Sequence, residues 1–213
     1  MWSSTGFQSS AHFLFILLSL IFTSCSEPSQ TGKDQPKVPI LPPAPVTGRF
    51  AFQRMYIQAR TWAPDVQPLR LSSFNLKQVA SAAGKCGAWQ AIFVSPQKSK
   101  ARTYTFSVTE SAGDVHEGVF AGREESWSGP RGQERPFFLQ ALKVDSDEAF
   151  GTAAQQSSDY IKKNPDMAVF FLLELTPRFP NPAWRVIWGE TIATSNYSVF
   201  VDASTGQYLQ TLR

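Results

Sequence analysis

The chain has 213 residues, of which 42% are hydrophobic and 17% are charged, and its formal net charge is +3. This composition is typical of a globular protein and excludes a chain that is disordered throughout. The positive charge is small, and no basic run or nucleic-acid-binding motif occurs, so we expect no nucleic-acid partner.

The first 24 residues have the composition of a targeting segment. They contain no Lys, Arg, Asp or Glu, and residues 13–22 are apolar apart from Ser19. An apolar run of this length suits the central region of a signal peptide and is too short to cross a bilayer as a helix. The sequence therefore predicts a signal peptide over residues 1–24.

A cysteine follows this segment directly. The run Thr23, Ser24 and Cys25 resembles the lipobox of bacterial lipoproteins, which implies that Cys25 carries a lipid and becomes the first residue of the mature protein. Several acyl chains on one cysteine anchor a protein stably in a membrane. Ser26 resembles the sorting signal for the outer membrane, so the resemblance implies a periplasm-facing envelope protein. The alternative is an ordinary secretory signal that leaves Cys25 as a free thiol.

The next segment is rich in proline and poor in residues that could fill a core. Residues 26–46 contain six prolines, which favour an extended polyproline II chain of roughly 3 Å per residue. We therefore interpret residues 25–46 as a lipid anchor followed by a tether. Cys86 is the only other cysteine, so a lipidated Cys25 excludes an intrachain disulfide.

A helix is predicted after the tether. Phe52, Met55, Tyr56 and Ala59 recur at the spacing of one helix face, Thr47 can cap the start, and Pro64 follows the end.

Two tryptophan-containing phrases indicate an internal repeat. AWQAIFV covers residues 88–94 and AWRVIWG covers residues 183–189, with Trp89 aligned on Trp184 at a shift of 95 residues. Neighbouring positions align at shifts that differ by a few residues, which places insertions in loops. We predict a first module over residues 47–127, a linker over 128–136 and a second module over 137–213.

The second module shows the same change from helical to extended periodicity. We predict a strand over residues 137–144, a helix from the Asp145 cap to Lys163, and strands at 168–175, 184–188, 197–201 and 207–211. In the last hairpin, Asp202 can accept backbone N–H groups and Gly206 can adopt the positive φ of a tight turn. The predicted fold class is α+β, with two repeated modules, each a helix packed on a small antiparallel β-sheet.

The stretch YSVFVDASTGQYL resembles the C-terminal signature of the PepSY domain, a small α/β module of protease propeptides and bacterial envelope proteins. The matching positions are Val199, Val201, Asp202, Ala203, Thr205 and Gly206. The resemblance is clear in the second module and weaker in the first. It implies an envelope location and inhibitory or regulatory contacts with peptidases, and it supplies no shared catalytic residues.

Few residues are candidates for chemistry. His116 is the only histidine after the signal peptide, so mechanisms that need two histidines are excluded. Cys86 with His116 is an alternative thiol site, although Cys86 suits a small buried residue better. The adjacent Glu124 and Glu125 favour a solvated loop over a pair of catalytic acids, because neighbouring strand residues face opposite ways. We expect no enzyme activity, no metal and no cofactor.

The aromatic residues allow two interpretations. Trp89, Trp184 and Trp188, together with Arg185, are candidate partner-binding residues on a sheet surface, whereas the alternative places the tryptophans in the core beneath the helices. We predict an envelope-tethered, non-enzymatic binding or regulatory lipoprotein that contacts an exported protein or peptide, such as a peptidase. The alternative function is a carrier of small apolar ligands with a pocket between the modules.

Overall fold

One eight-stranded antiparallel sheet is the central element of the chain. The computed structural model describes residues 43–113, 115–130, 132–189, 193, 195 and 197–213. The predicted signal peptide, the lipobox, Cys25 and the tether up to residue 42 lie outside the described residues. The fold belongs to one compact unit, Leu41–Arg213.

The first part of the chain supplies one helix and four strands of this sheet. Helix α1 (Gly48–Trp62) follows the short strand β1 (Val46–Thr47), and Thr47 accepts a hydrogen bond from the Phe50 amide, as expected for its predicted cap. The sheet strands are β2 (Gln67–Phe74), β4 (Ala88–Ser95), β5 (Lys100–Ser107) and β6 (Gly118–Ser126). The short strand β3 (Lys85–Cys86) pairs with β1.

The second part has a similar order of elements. Helices α2 (Ser146–Gln156) and α3 (Ser158–Lys163) precede β7 (Val169–Glu174), β8 (Ala183–Trp188), β9 (Tyr197–Asp202) and β10 (Tyr208–Leu212). Asp145 caps α2, with its side chain accepting from the Ser146 amide. The predicted helix from Asp145 to Lys163 is thus two helices, which meet at Ser157.

All eight long strands join in one sheet, in the order β10, β9, β8, β7, β2, β4, β5, β6. Strands β2 and β7 pair antiparallel at its centre, with Arg70 opposite Glu174. The predicted α+β class is confirmed as a large antiparallel sheet with few helices. The strands do not form a separate small sheet in each part of the chain, because β2 and β7 hydrogen-bond to each other.

The predicted strand over residues 137–144 is wrong. This segment contains a 3-10 helix, Leu139–Ala141. The Phe137 amide donates to Pro68 O, and the Leu142 amide donates to Leu139 O, so the backbone groups are satisfied without a strand ladder.

The helices cover one face of the sheet and bury its aromatic residues. Phe52 and Met55 of α1 pack with strand residues such as Trp89, Phe93 and Trp184, all inaccessible to solvent. Because strand residues alternate between the two faces, the residues between these core positions point away from the helices. We call the side opposite the helices the outer face.

The described helices are too short or too polar to cross a bilayer.

Candidate functional site

The three tryptophans predicted as partner-binding residues lie in the core. Trp89 and Trp184 have no exposed surface, and Trp188 is 3% exposed. The Trp89 indole N–H donates to Val46 O at 3.0 Å, and the Trp184 indole N–H donates to Val144 O at 2.9 Å. A partner of the folded protein therefore cannot contact these rings directly.

Arg185, the fourth predicted residue, lies on the outer face of β8. Its neighbours Trp184 and Val186 point into the core, so strand alternation directs Arg185 away from the helices. Its Nε donates to Ser198 Oγ at 3.0 Å, and its guanidinium carbon lies 5.7 Å from the centre of the Phe200 ring.

A second arginine contacts the same ring. Arg178, in the loop between β7 and β8, lies 5.0 Å from the centre of the Phe200 ring and 5.7 Å from that of Phe179. The two phenyl rings are 5.3 Å apart, and Arg178 Nε donates to Gln210 Oε1 at 3.1 Å. We call Arg178 and Arg185 with the Phe200 ring the arginine clamp. Each guanidinium is held by its Nε and by an aromatic face, a geometry favourable for cation–π attraction.

Three further charged residues accompany the clamp at the centre of the outer face. Arg70 pairs with Glu134 at 2.7 Å, and Glu174 lies opposite Arg70 in the sheet. Burial raises the pKa of Glu174, and the charge of Glu134 adds to this effect while Arg70 and Arg185 oppose it. Burial lowers the pKa of Arg185, with Glu174 opposing and Arg178 adding to the shift. These charges are therefore partly withdrawn from water, which strengthens their interactions.

A trough lined by both polar and apolar side chains lies on the outer face of the strands from β2 to β6. Its volume is about 510 Å³. Its floor includes Ser72, Gln90, Thr103 and Thr105, and Phe120, which is 45% exposed, stands at one side. Hydroxyl and amide groups beside an exposed ring can bind both polar and apolar parts of a ligand.

The trough and the clamp lie along one line across the sheet. The strand registers align eight outer-face residues, which we call the cross-strand row: Gln210, Phe200, Arg185, Leu172, Ser72, Gln90, Thr105 and Phe120. From β9 to β6 the row spans about 29 Å, since neighbouring strands are about 4.8 Å apart. This length suits an extended chain of several residues.

The turn predicted at Asp202 and Gly206 closes the hairpin between β9 and β10. Asp202 Oδ1 accepts from the amides of Ser204 and Thr205 at 2.8 and 2.9 Å, and Asn181 donates to Oδ2 at 3.0 Å. Gly206 has φ +76°, a conformation that glycine adopts without strain. The turn itself packs toward α2, since Thr152 donates to Gly206 O, while the Asn181 bond ties the loop between β7 and β8 to Asp202.

The structure does not bring Cys86 and His116 into contact. Cys86 is a buried free thiol whose pKa is raised by burial, with smaller opposing effects from Ser81 and Ser73. The described contacts of His116 are with Glu110, whose Oε2 lies 3.4 Å from His116 Nδ1, and with the Phe120 ring. Among the described residues, no group of three His, Cys, Asp or Glu side chains could hold a metal ion.

Glu124 and Glu125 belong to strand β6 and not to the predicted loop. Both are exposed, and Glu124 accepts a hydrogen bond from the Trp62 indole at 2.8 Å. The neighbouring glycines do not prevent the strand because β6 pairs with β5 along this stretch, with Arg102 opposite Glu124 and Ala101 opposite Glu125.

A second cavity, of about 430 Å³, lies between the two parts of the chain. The loop before β3 lines one side through residues that include Asn75 and Ser81, together with Lys85 of β3, and Phe150, Met167 and Phe171 line the other. Its lining is mixed polar and apolar.

Sequence reasoning missed Phe200 and the trough. Phe200 lies between the core residues Val199 and Val201 of β9, so strict alternation places it on the outer face. That alternation is the signal that could have identified it. The contact with Arg178 depends on how the loop between β7 and β8 folds, which residue spacing does not indicate.

Comparisons with known proteins identify no family. No family model matches the chain, and no curated protein matches it. Among solved structures, the fold is similar to the crystal structure of a presumed lipoprotein from Clostridium difficile 630. The TM-score is 0.44 at 9% sequence identity, over 76% of this chain and 91% of that chain.

Proposed function

We propose that the protein is an envelope lipoprotein, anchored through Cys25, that binds an extended segment of an exported protein on the outer face of its sheet. It acts by binding and not by catalysis. The observation that carries this proposal is the cross-strand row, which joins the arginine clamp to the trough on the face opposite the helices.

The distribution of side chains over the two faces supports binding on the outer face. The helix face uses its large aromatic residues for packing. The outer face instead holds the clamp and a trough floored by hydroxyl and amide groups. Polar groups that are only partly solvated lose little hydration when a ligand binds, and they provide directional hydrogen bonds.

The edges of the sheet are poorer candidates for a partner. The edge strand β6 ends with the exposed charged residues Arg123, Glu124 and Glu125, and the other edge strand, β10, is irregular between Tyr208 and Gln210. Charges and irregularities of this kind protect sheet edges from pairing with another strand. The face is therefore the more suitable surface.

The anchor and the repeat belong to the same proposal. A lipid on Cys25 and the proline-rich tether would keep the fold close to the membrane while allowing the sheet to reach exported proteins. The two parts of the chain, each with helical segments followed by four sheet strands, would be two PepSY-like repeats that share one sheet. A regulatory contact with an exported peptidase would be consistent with that resemblance.

Blocking the trough tests the binding function. Gln90 lies in the middle of the row, between Ser72 and Thr105, so Gln90→Trp would fill the trough. Gln53→Trp places the same side chain at an exposed position of α1 and is the matched control. We expect the wild type and Gln53→Trp to retain the same exported protein from the native envelope, and Gln90→Trp to lose it. Equal retention by all three forms would overturn the proposal.

Lipid attachment needs its own test. Cells fed an alkyne-labelled fatty acid should label the wild-type protein, whereas Cys25→Ala should carry no label and should leave the membrane fraction. Labelling that persists in Cys25→Ala would contradict the anchor.

The cavity between the two parts of the chain favours a second function, the transport of a small ligand. Its volume of about 430 Å³ is within the usual range of ligand sites. A panel of apolar compounds should then raise the melting temperature of the protein, and a substitution that fills the cavity, Ala82→Trp, should remove that gain. No gain with any compound would argue against this function.

A further inference from the structure

We infer that the arginine clamp is a carboxylate-binding site and that the ligand of the outer face places a carboxylate on the terminal N–H groups of Arg178 and Arg185. The inference rests on the proposed function, since it names the chemical group that one end of that ligand carries.

The first observation is the orientation of the two guanidinium groups. Each arginine uses its Nε for a hydrogen bond within the protein, Arg178 to Gln210 and Arg185 to Ser198. Among the described residues, neither arginine forms an ion pair, and no hydrogen bond involves their terminal nitrogens. Within the described part of the chain, the terminal N–H groups of both arginines thus remain able to donate to an anion, and paired N–H donors match the two oxygens of a carboxylate.

The second observation is the cost of holding the two arginines together. Both lie on the Phe200 ring, at 5.0 and 5.7 Å. Beyond the effect of burial, the charge of Arg178 lowers the pKa of Arg185, which is the repulsion expected between two like charges, and partial burial increases it. An anion bound to the clamp relieves this repulsion, so the clamp gains more from one negative charge than an isolated surface arginine does.

The charge of the surroundings selects a carboxylate over a phosphate. The central cluster contains three arginines and two glutamates, which are Arg70, Arg178, Arg185, Glu134 and Glu174. This leaves an excess of one positive charge, which a single carboxylate neutralises. A phosphate group with nearly two negative charges would be repelled by the glutamates once the first charge is matched.

The rings beside the clamp suit an apolar side chain next to the carboxylate. Phe179 packs against Phe200 at 5.3 Å, and Phe179 is partly exposed. Two sources of the carboxylate fit this chemistry: the C-terminus of a peptide, or an Asp or Glu side chain within it.

The test uses three short probes and the full-length chain in detergent. Acetyl-Gly-Phe carries a C-terminal carboxylate, acetyl-Glu-Phe-amide carries only a side-chain carboxylate, and acetyl-Gly-Phe-amide carries none. Binding is followed through the Nε–H resonances of Arg178 and Arg185 in NMR titrations. We expect at least one of the two acids to bind roughly tenfold or more tightly than the amide, and the stronger acid identifies the source. Equal binding of all three probes to the wild-type protein would overturn the inference, without reference to any variant.

Variants test whether the two arginines are responsible. Arg178→Gln and Arg185→Gln should each reduce the binding of the preferred acid by about tenfold. Arg54→Gln is the matched control, because Arg54 lies over Phe50 at 5.2 Å on the helix side, and it should leave binding unchanged. Arg178 is exposed, so Arg178→Gln remains informative if Arg185→Gln fails to fold. Unchanged acid binding in Arg178→Gln would overturn the inference.

Failure of this inference and failure of the proposed function give different results. If the exported protein is lost from Gln90→Trp but the acids bind no better than the amide, the face binds its partner without a carboxylate. If the acids bind but Gln90→Trp retains every partner, the clamp binds carboxylates and the trough is not the docking surface.

Discussion

Trp89 and Trp184 contact each other edge to face in the core, with ring centroids 6.3 Å apart. Each indole donates to the carbonyl oxygen that lies two residues before a helix: Trp89 to Val46, ahead of α1, and Trp184 to Val144, ahead of α2. The repeated tryptophan phrase therefore has a structural role, because each copy fixes the start of a helix against the shared sheet.

Replacing Trp184 with Phe should destabilise the protein. The Val144 carbonyl would lose its indole donor in a buried position, which costs about 1–3 kcal/mol, and the smaller ring would leave space in the core. The free energy of unfolding in urea measures this change. Trp62→Phe is the control, because the Trp62 indole donates to Glu124 at an exposed site, and it should cost less than about 1 kcal/mol. Equal losses in the two variants would show that the Val144 bond has no special importance.

Two glycine substitutions should have opposite effects on stability. A Cβ on Gly48 would lie 2.7 Å from the Trp184 ring, so Gly48→Ala should cost about 1–3 kcal/mol through overpacking. A Cβ on Gly151 in α2 meets no atom within 4 Å, so Gly151→Ala should stabilise the helix by about 0.5–1 kcal/mol. Thermal unfolding of both variants is the measurement. A stabilising Gly48→Ala would contradict the close approach of α1 to the two tryptophans.

Asp202 should make the stability of the hairpin depend on acid. Burial raises the pKa of Asp202, but hydrogen bonds from Asn181, Ser204 and Thr205 outweigh this effect and leave the pKa below its ordinary value of 3.8. A carboxylate with a lowered folded-state pKa stabilises the fold above the unfolded pKa, and this contribution disappears as the pH falls through the folded pKa.

Asp202→Asn should therefore be less stable than the wild type at pH 6, and the difference should shrink as the pH falls below about 4. Urea unfolding of both proteins between pH 3 and pH 6 gives this difference. A difference that stays constant over the whole range would show that the ionised carboxylate is unimportant for the turn.

Cys86 should be unreactive in the folded protein. It is fully buried, and burial raises the pKa of its thiol while Ser81 and Ser73 oppose the shift only in part. The nucleophilic thiolate is therefore scarce at neutral pH. In Cys25→Ala, where Cys86 is the only thiol, we expect labelling by a thiol reagent to be far slower than that of free cysteine until urea unfolds the chain. Labelling faster than free cysteine would favour the thiol-enzyme alternative.

Local elements of this fold follow from local sequence patterns. The apolar spacing of α1 and its Thr47 cap identify the helix, and the apolar run at residues 168–175 identifies the central strand β7. Both features depend on residues that lie close together in the sequence, so the spacing of apolar residues is enough to predict the helix and the strand.

Two features cannot be predicted from such local patterns: the pairing of β2 with β7, which joins the two parts of the sheet, and the site on the outer face. Strands β2 and β7 are about 100 residues apart in the chain, and their pairing is decided by the energy of the whole sheet and not by either segment. The segment at residues 137–144 is rich in apolar residues, but it turns into the 3-10 helix Leu139–Ala141 after the Phe137 amide donates to Pro68 O. The Phe200 contacts require a loop to fold over a strand, which residue spacing does not specify.

A photo-crosslinking comparison tests the central claim most directly. Benzoylphenylalanine at Gln90 would lie in the trough, and the same residue at Gln53 would lie on the exposed side of α1. After irradiation of intact cells, the outer-face account predicts a crosslink from Gln90 to an exported protein and no such crosslink from Gln53. A partner crosslinked from Gln53 and absent from Gln90 would contradict the account and assign binding to the helix side.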